Sequence, residues 1–220
     1  MFCFCFSVYL RKNRNKMNFQ EFRKKMVELE CFNSNQVYAW QPDFDKNNIS
    51  HWVQKGLLVK LRNGYYTFPE FKSKSGFSFL LANRIYRPSY ISLHTALAFY
   101  GIIPEAVVQI TSVTSLKTAR FSNEFGEFSY KSVRPDLFFG YELKPLERQT
   151  VLFASPEKAL LDMIYLYPFY KTESDFQELR LDEDFMQNRW NVNLFQEYLK
   201  QFGGKALEKR ANLLLKTYQL

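Results

Sequence analysis

The chain has 220 residues, of which 46% are hydrophobic and 24% are charged, and its formal net charge is +8. This length suits one large domain or two modest ones, and the composition excludes an extended disordered tail. The three cysteines, Cys3, Cys5 and Cys31, have no zinc-ligand spacing with either histidine. We therefore expect no structural metal and a reducing, cytoplasmic setting.

The positive charge is concentrated in the first part of the chain. Residues 1–87 carry 15 Lys plus Arg against 6 Asp plus Glu, which gives +9, whereas residues 88–220 carry 15 against 16, which gives −1. A positive field over one domain attracts polyanions and speeds their encounter. The asymmetry favours a nucleic-acid partner for the N-terminal part.

The first sixteen residues form an extension in which an apolar run, Met1 to Leu10, precedes Arg11, Lys12, Arg14 and Lys16. A secretory signal has the reverse order, and ten apolar residues cannot span a bilayer. Two interpretations stay open: a start codon assigned too far upstream, with Met17 as the true first residue, and a weak membrane-surface anchor. We favour the first, which leaves +5 for residues 17–87, and expect no membrane partner.

Residues 17–70 have the pattern of a winged helix-turn-helix domain. Phe19, Phe22, Met26 and Leu29 mark an amphipathic first helix between Met17 and Cys31. A short second helix over Ser34 to Ala39 starts with Asn33 or Ser34 as its N-cap, and Asp43 or Asp45 caps a third helix after Pro42.

The third helix and the hairpin after it are the most informative stretch. Ile49, Trp52 and Val53 share one side of the helix, whereas Asn47, Ser50, His51 and Gln54 share the opposite side. Gly56 suits the left-handed end of this helix, and Asn63-Gly64 is a preferred two-residue hairpin turn. One face of the helix can pack while the other reads base edges.

We predict that DNA is contacted by polar and basic side chains of this helix and hairpin. Amide side chains can pair with adenine, and Lys or Arg can reach guanine or phosphate. The candidates are Lys46, Asn47, His51, Gln54 and Lys55 on the helix, and Lys60, Arg62 and Asn63 on the wing. The plainer alternative is a helix and a hairpin in any small α+β domain, with Asn63-Gly64 serving only as a turn.

A polar linker over residues 71–76 is expected to separate this domain from an α+β domain over residues 77–220. Ser92 is the predicted N-cap of a helix that ends at Gly101, and Ser155-Pro156 opens another helix. Strands are predicted over Val107–Thr114, Glu127–Val133, Leu137–Tyr141 and Thr150–Phe153, which suggests a small, mostly antiparallel sheet. Two C-terminal helices meet at Gly203-Gly204.

The second half resembles the AbiEi family of antitoxins from type IV toxin-antitoxin systems of bacterial abortive infection. Four motifs in order carry the resemblance, which covers roughly residues 17–168. They are Ser-Tyr-Ile-Ser-Leu-His-Thr-Ala-Leu-Ala-Phe-Tyr-Gly-Ile-Ile-Pro-Glu from Ser89, Ile-Thr-Ser-Val-Thr from Ile110, Leu-Phe-Phe-Gly-Tyr from Leu137, and Ala-Ser-Pro-Glu-Lys-Ala-Leu-Leu-Asp from Ala154.

The resemblance implies both partners and function. In that family an N-terminal winged helix binds inverted repeats in its own promoter, and the C-terminal domain is needed to neutralise a nucleotidyltransferase-like toxin. The chain is thus expected to be an antitoxin and an autoregulatory repressor that acts on double-stranded DNA and on a cognate toxin, with or without a stable complex. No residue of the second domain can be assigned a role in neutralisation from the family.

The last motif has a simple structural interpretation. Ser155 is the expected N-cap, Pro156 the first helical residue, Glu157 a favourable charge at the helix start, and Lys158 a partner for Asp162 one turn later.

Other functions have less support in the sequence. Asp182-Glu183-Asp184 could hold a cation and Glu157 with Asp162 could act as paired carboxylates, but neither comes with a nucleophile, a phosphate loop or further ligands. His94 has no obvious catalytic partner. We therefore expect no enzyme activity, catalytic residue or cofactor. Two alternatives stay open: a protein that binds its toxin directly, and a winged-helix regulator without antitoxin activity.

Overall fold

The computed structural model of the chain describes residues 17–147 and 149–220, and it is a mixed α/β structure with two β-sheets. The two interpretations of residues 1–16 fall outside the described residues. Within the described residues, no helix has the length and apolar character needed to cross a membrane.

The first unit packs three helices against a three-stranded antiparallel sheet. Its helices are α1 (Phe19–Met26), α2 (Ser34–Trp40) and α3 (Asn47–Gln54), and its strands are β1 (Cys31–Asn33), β2 (Val59–Arg62) and β3 (Tyr65–Thr67). The strand order is β1-β3-β2, so the first strand pairs with the far side of the β2–β3 hairpin. Buried aromatic rings, including Phe22, Phe32 and Trp52, fill the space between the helices and the sheet.

Local capping chemistry explains where these helices begin and end. Asn33 and Gln36 form a capping box at the start of α2, which confirms the predicted N-cap. The predicted first helix is too long, because α1 stops at Met26 and a 3-10 turn leads to Glu30 at φ +59°. A left-handed residue cannot continue a helix, and the chain turns there into β1, which the sequence analysis missed.

The second unit surrounds a six-stranded sheet with helices. The strands are β4 (Ser89–Ile91), β5 (Gln109–Thr114), β6 (Ala119–Asn123), β7 (Gly126–Ser132), β8 (Tyr141–Leu146) and β9 (Gln149–Ala154). The helices are α4 (Phe77–Ile85), α5 (Leu93–Phe99), α6 (Pro156–Leu166), α7 (Glu173–Gln177), α8 (Glu183–Asn188), α9 (Val192–Phe202) and α10 (Lys205–Thr217). As predicted, the two C-terminal helices meet at Gly203-Gly204.

The sheet is mixed rather than mostly antiparallel. Its order is β6-β7-β5-β4-β9-β8, and the β5–β7 and β4–β9 pairs are parallel whereas the other three pairs are antiparallel. Sequence patterns located β5, β7 and β9 and missed β4, β6 and β8. They could not give the pairing partners, since alternation along one strand does not encode its neighbour.

The predicted strand Leu137–Tyr141 is wrong. Pro135–Leu137 is a 3-10 turn, and β8 begins only at Tyr141. Gly140 between them adopts φ +69°, and a Cβ there would lie 3.0 Å from Cγ and Cδ of Lys158. This segment packs against the side chain of Lys158 and does not extend the sheet.

A buried polar cluster lies at the centre of the second unit. Lys158 and Asp162, one turn apart on α6, form the predicted ion pair, but both side chains are completely buried. Asp162 Oδ2 also accepts hydrogen bonds from Tyr90 Oη at 2.9 Å and from Ser92 Oγ at 2.8 Å. Burial lowers the pKa of Lys158 and raises the pKa of Asp162, and the attraction within the pair opposes both changes.

Aromatic rings enclose the ammonium group of this cluster. Lys158 Nζ lies 4.7 Å from the ring centroid of Phe202 and 4.9 Å from that of Phe139, and it donates to Tyr90 Oη at 2.7 Å. Such rings attract a cation through their negative faces, more strongly where water is excluded. The cluster thereby joins β4, α6, α9 and the segment before β8.

Ser92 occupies the predicted N-cap position of α5, but its side chain does not cap the helix. Ser92 precedes α5, but its hydroxyl makes no capping bond because it is bound to Asp162. The neighbouring strand compensates, since Thr111 Oγ1 accepts the backbone N–H of Thr95 at 3.2 Å in the first turn of α5. By contrast, Ser155 caps α6 as predicted, accepting the N–H of Lys158 at 3.2 Å.

The predicted linker, residues 71–76, is packed between the two units. Its first part lies in a 3-10 helix, Pro69–Ser73, and Phe71 stacks on Phe77 at a centroid distance of 5.2 Å. Lys74 bonds to Glu30 of the first unit and lies 3.2 Å from Glu147 before β9. The composition of this segment is polar, but its contacts tie the two units together.

We expect Asp162→Asn to lower the free energy of unfolding by about 3–5 kcal/mol, because it leaves the buried amine of Lys158 without a carboxylate. The double variant Lys158→Met with Asp162→Leu should lower the free energy of unfolding by less than the sum of the losses caused by the two single substitutions. Urea unfolding followed by circular dichroism would measure both. Additive costs would contradict the coupling between the two side chains.

Candidate nucleic-acid interface

The two predicted faces of α3 are present in the structure. Ile49 and Trp52 are buried in the core of the first unit, where the indole of Trp52 packs 4.6 Å from the ring of Phe22. The opposite face is exposed and consists of Asn47, Ser50, His51 and Gln54. Lys46 and Lys55, which flank the helix, are exposed as well. This face offers amide, hydroxyl and imidazole groups that can reach base edges.

The start of α3 differs in detail from the prediction. Lys46 occupies the N-cap position and makes no side-chain capping bond. The carboxylate of Asp45 accepts the backbone N–H of Asn47 at 3.0 Å, so one of the two predicted capping aspartates serves this end. A negative charge therefore lies beside Asn47, which would oppose a phosphate at that position.

The hairpin has the predicted turn, and the rest of the first unit holds its tip. Arg62 pairs with Tyr65 across Asn63-Gly64, and Gly64 adopts φ +78°. The carbonyl of Gly64 accepts the N–H of Ser34 at 2.9 Å, which ties the turn to the start of α2. Lys60 and Asn63 are exposed along this hairpin.

Arg62 does not lie on a free surface, and its predicted role in contacting DNA needs correction. Its Nη1 donates to the carbonyl of Ile85 at 2.6 Å, and its Cζ lies 4.6 Å from the ring centroid of Phe121 and 5.5 Å from that of Tyr86. These partners belong to α4, β6 and the segment after α4. The sequence placed Arg62 on the wing, where its side chain contacts β6 and α4 of the second unit.

The remaining candidates therefore form a smaller set than the sequence suggested. Seven of the eight candidates have exposed side chains, on α3, at its two ends and on the hairpin: Lys46, Asn47, His51, Gln54, Lys55, Lys60 and Asn63. Sequence reasoning missed Ser34 as a support of the hairpin tip, and the capping box at Asn33 was the only signal that pointed near it.

The charge of the first unit is lower than the asymmetry of the chain implied. Residues 17–70 contain seven Lys plus Arg and six Asp plus Glu, a net charge of +1, and residues 71–87 add four cations and no anion. All four have partners within the chain: Lys72 lies 3.7 Å from Glu124, Lys74 pairs with Glu30, Arg84 donates to Gln149, and Arg87 donates to the carbonyl of Asn83. Polar groups dominate the exposed face of α3, with few free cations.

The residues considered for enzyme chemistry lie apart from one another. Asp162 is enclosed by its own cluster, whereas Glu157 Oε1 accepts the backbone N–H of Asn191 at 3.1 Å. Asp182 caps α8 by accepting the N–H of Phe185 at 2.7 Å, so the acidic run is a helix start. In the part of the chain that the structure describes, no three His, Cys, Asp or Glu side chains are arranged to hold a metal ion.

His94 is half-buried beside Tyr167, with ring centroids 5.9 Å apart. Burial lowers the pKa of its imidazole, and the carboxylate of Glu105 opposes this shift. Burial thus disfavours the charged form of the imidazole, which packs beside Tyr167 at the end of α6.

In comparisons with known proteins, the chain matches no family model and no curated protein sequence.

We expect Arg62→Ala to lower the free energy of unfolding by about 2 kcal/mol, because it removes a charge-assisted hydrogen bond and a cation–π contact at the junction of the units. Lys60→Ala, two positions away on the same strand, is the matched control and should change stability by less than about 0.5 kcal/mol. Chemical unfolding of both variants would measure this, and equal small effects would refute the anchoring role of Arg62.

Proposed function

We propose that residues 17–70 are a winged-helix domain that binds double-stranded DNA through α3 and the β2–β3 hairpin. The observation that carries this proposal is the exposed polar face of α3, opposite a face on which Ile49 and Trp52 are buried, and followed by a two-stranded hairpin. The order helix, strand, helix, helix, hairpin agrees with it. In this arrangement Asn47 and Gln54 read base edges while Lys55 and Lys60 contact phosphates.

In this arrangement α3 provides the sequence specificity, and the lysines at its ends and on the hairpin provide a modest electrostatic contribution to affinity. Lys46, Lys55 and Lys60 are the available phosphate ligands on this surface, and Arg62 supports the hairpin from behind. With about three phosphate contacts, the log–log salt slope would be near −3, which is shallow for a DNA-binding protein. Tight binding then needs two copies on an inverted repeat, as the resemblance to the AbiEi family implies.

We further propose that the chain is an antitoxin and an autoregulatory repressor of a type IV toxin-antitoxin system, and that its second unit neutralises a nucleotidyltransferase-like toxin. The family resemblance supplies this biology. Its motifs at Ser89, Leu137 and Ala154 meet around Lys158 in the interior of the second unit. They therefore support a shared fold for that unit and identify no contact with the toxin.

The main alternative is an interaction protein that binds its toxin directly, with DNA binding secondary. The firm junction of the two units favours this alternative over a simple regulator, because a surface on the second unit is then held in fixed relation to α3. Gel filtration of the chain co-expressed with the product of the neighbouring gene would distinguish a protein that binds its toxin directly from a regulator that does not.

Gln54→Ala should weaken binding to the promoter site by about 1–3 kcal/mol and leave binding to scrambled duplex nearly unchanged, since it removes a base contact. Lys60→Ala should weaken both and make the salt slope shallower by about 0.9. Arg62→Ala is expected to leave that slope unaltered. Competition titrations at several salt concentrations would test all three, and equal losses on both duplexes for Gln54→Ala would overturn its role.

Repression and toxin neutralisation should be separable by point variants. The double variant Asn47→Ala with Gln54→Ala should lose repression in a promoter-reporter assay and keep rescue of growth when the toxin is induced from an unrelated promoter. Point variants are preferable to fragments, because cutting at residues 71–76 would expose Leu61, Cys31 and the Arg62 contacts. Loss of rescue together with repression would contradict the separation of the two activities, because a toxin made from an unrelated promoter is not under the control of the repressor.

A further inference from the structure

A basic cleft lies on the second unit, on the exposed side of α10. It is formed between α10 and the segment before α7, has a volume of about 560 Å³, and is lined by Lys171, Lys209, Arg210 and Lys216. The other described residues that line it are Thr172, Asn212 and Leu213, so no carboxylate faces the cleft. Four cations gather here although residues 88–220 carry a net charge of −1.

The fold fixes this cluster in place. Arg210 donates from Nη1 to the carbonyl of Ile164 at 2.6 Å and from Nε to that of Ala206 at 3.3 Å, and burial lowers its pKa. Lys216 Nζ lies 3.2 Å from Glu173, at the edge of the cleft. The backbone N–H of Lys171 donates to Asp175 Oδ2 at 2.9 Å, which places a carboxylate beside this residue, whereas Lys209 forms no ion pair among the described residues. Among the described residues that line the cleft, Lys209 therefore carries the free ammonium group, and Arg210 and Lys216 are held in place beside it.

Gathering like charges costs stability. Lys205 and Lys209 are one helical turn apart on the exposed side of α10, a spacing at which like charges repel. A site that opposes stability in the free protein is typical of a surface that is completed by a ligand of opposite charge. The four cations that line the cleft favour an anionic ligand.

The lining favours carboxylates on a peptide over a nucleic acid. Sites for single strands pair cations with aromatic rings on which bases stack, and no ring lines this cleft. The guanidinium of Arg210 donates to two backbone carbonyls, so it supports the cleft and leaves Lys209 as the free cation among the described lining residues. Leu213 and the lysine stems give an apolar floor that suits aliphatic side chains.

We propose that this cleft is the docking surface of the second unit for an acidic, amphipathic segment of a protein partner, in which carboxylates alternate with aliphatic side chains. The inference rests on the proposed function in that the partner is the protein that the second unit neutralises. It does not rest on DNA binding, since the cleft is built from α10 and the segment before α7, apart from α3 and the hairpin.

The test uses the full chain and three labelled probes in fluorescence anisotropy at low salt. The probes are a twelve-residue peptide of alternating Glu and Leu, the same length of alternating Glu and Ser, and a twelve-nucleotide oligothymidine. We expect the Glu-Leu peptide to bind more tightly than the other two probes. Lys209→Glu should weaken the binding of this peptide at least tenfold. Lys200→Glu makes an equal charge change on the exposed side of α9 and should change the affinity for the Glu-Leu peptide less than twofold.

Two further measurements test whether Lys209→Glu acts at the cleft or by disturbing the fold. Lys209→Glu removes the repulsion with Lys205, so its melting temperature should not fall below that of the unaltered chain. Promoter DNA binding should be unchanged in the same variant. A failure of the unaltered chain to bind promoter DNA would remove the proposed repressor function and leave the peptide result standing.

Three outcomes would overturn the proposal. The first is no binding of the Glu-Leu peptide, and the second is equal binding by Lys209→Glu. The third is tighter binding of oligothymidine that is lost in Lys209→Glu, which would make the cleft a nucleic-acid site. Equal binding of the Glu-Leu and Glu-Ser peptides would refute the role of the apolar floor.

Discussion

The buried ion pair between Lys158 and Asp162 is the constraint on which the second unit depends. A charged pair inside a protein is tolerated only where further hydrogen bonds satisfy its remaining groups. Tyr90 and Ser92 do this for the carboxylate, and Tyr90, Phe139 and Phe202 enclose the ammonium. Because these partners come from β4, the segment before β8, and α9, the pair fixes the relative position of distant parts of the chain.

A second set of polar contacts joins the two units. Arg62 reaches the carbonyl of Ile85, Asn123 donates to the carbonyl of Leu61 at 3.2 Å, and Lys74 lies between Glu30 and Glu147. Contacts of this kind hold a hairpin at a fixed angle to its neighbour. The proposed DNA-reading face and the basic cleft of α10 are then parts of one connected structure, with partners of different chemistry.

Charge on this chain is informative only once the structure locates it. The excess in residues 1–87 first suggested a basic DNA-binding face, yet residues 17–70 carry only +1 and several cations bind internal groups. The near-neutral second part, in contrast, contains the cleft with four cations. Counting charges along a sequence gives the net field, whereas recognition depends on which charges remain free at one surface.

The sequence by itself determined the local structure: the two faces of α3, the Asn63-Gly64 turn, the caps of α2 and α6, and the break at Gly203-Gly204. These features follow from periodicity, backbone preference and hydrogen bonding between near neighbours. Only the tertiary structure decided that β6 covers Arg62, that Ser92 serves Asp162 instead of α5, and that the sheet is mixed. Each of these depends on a partner tens of residues away, which no local pattern encodes.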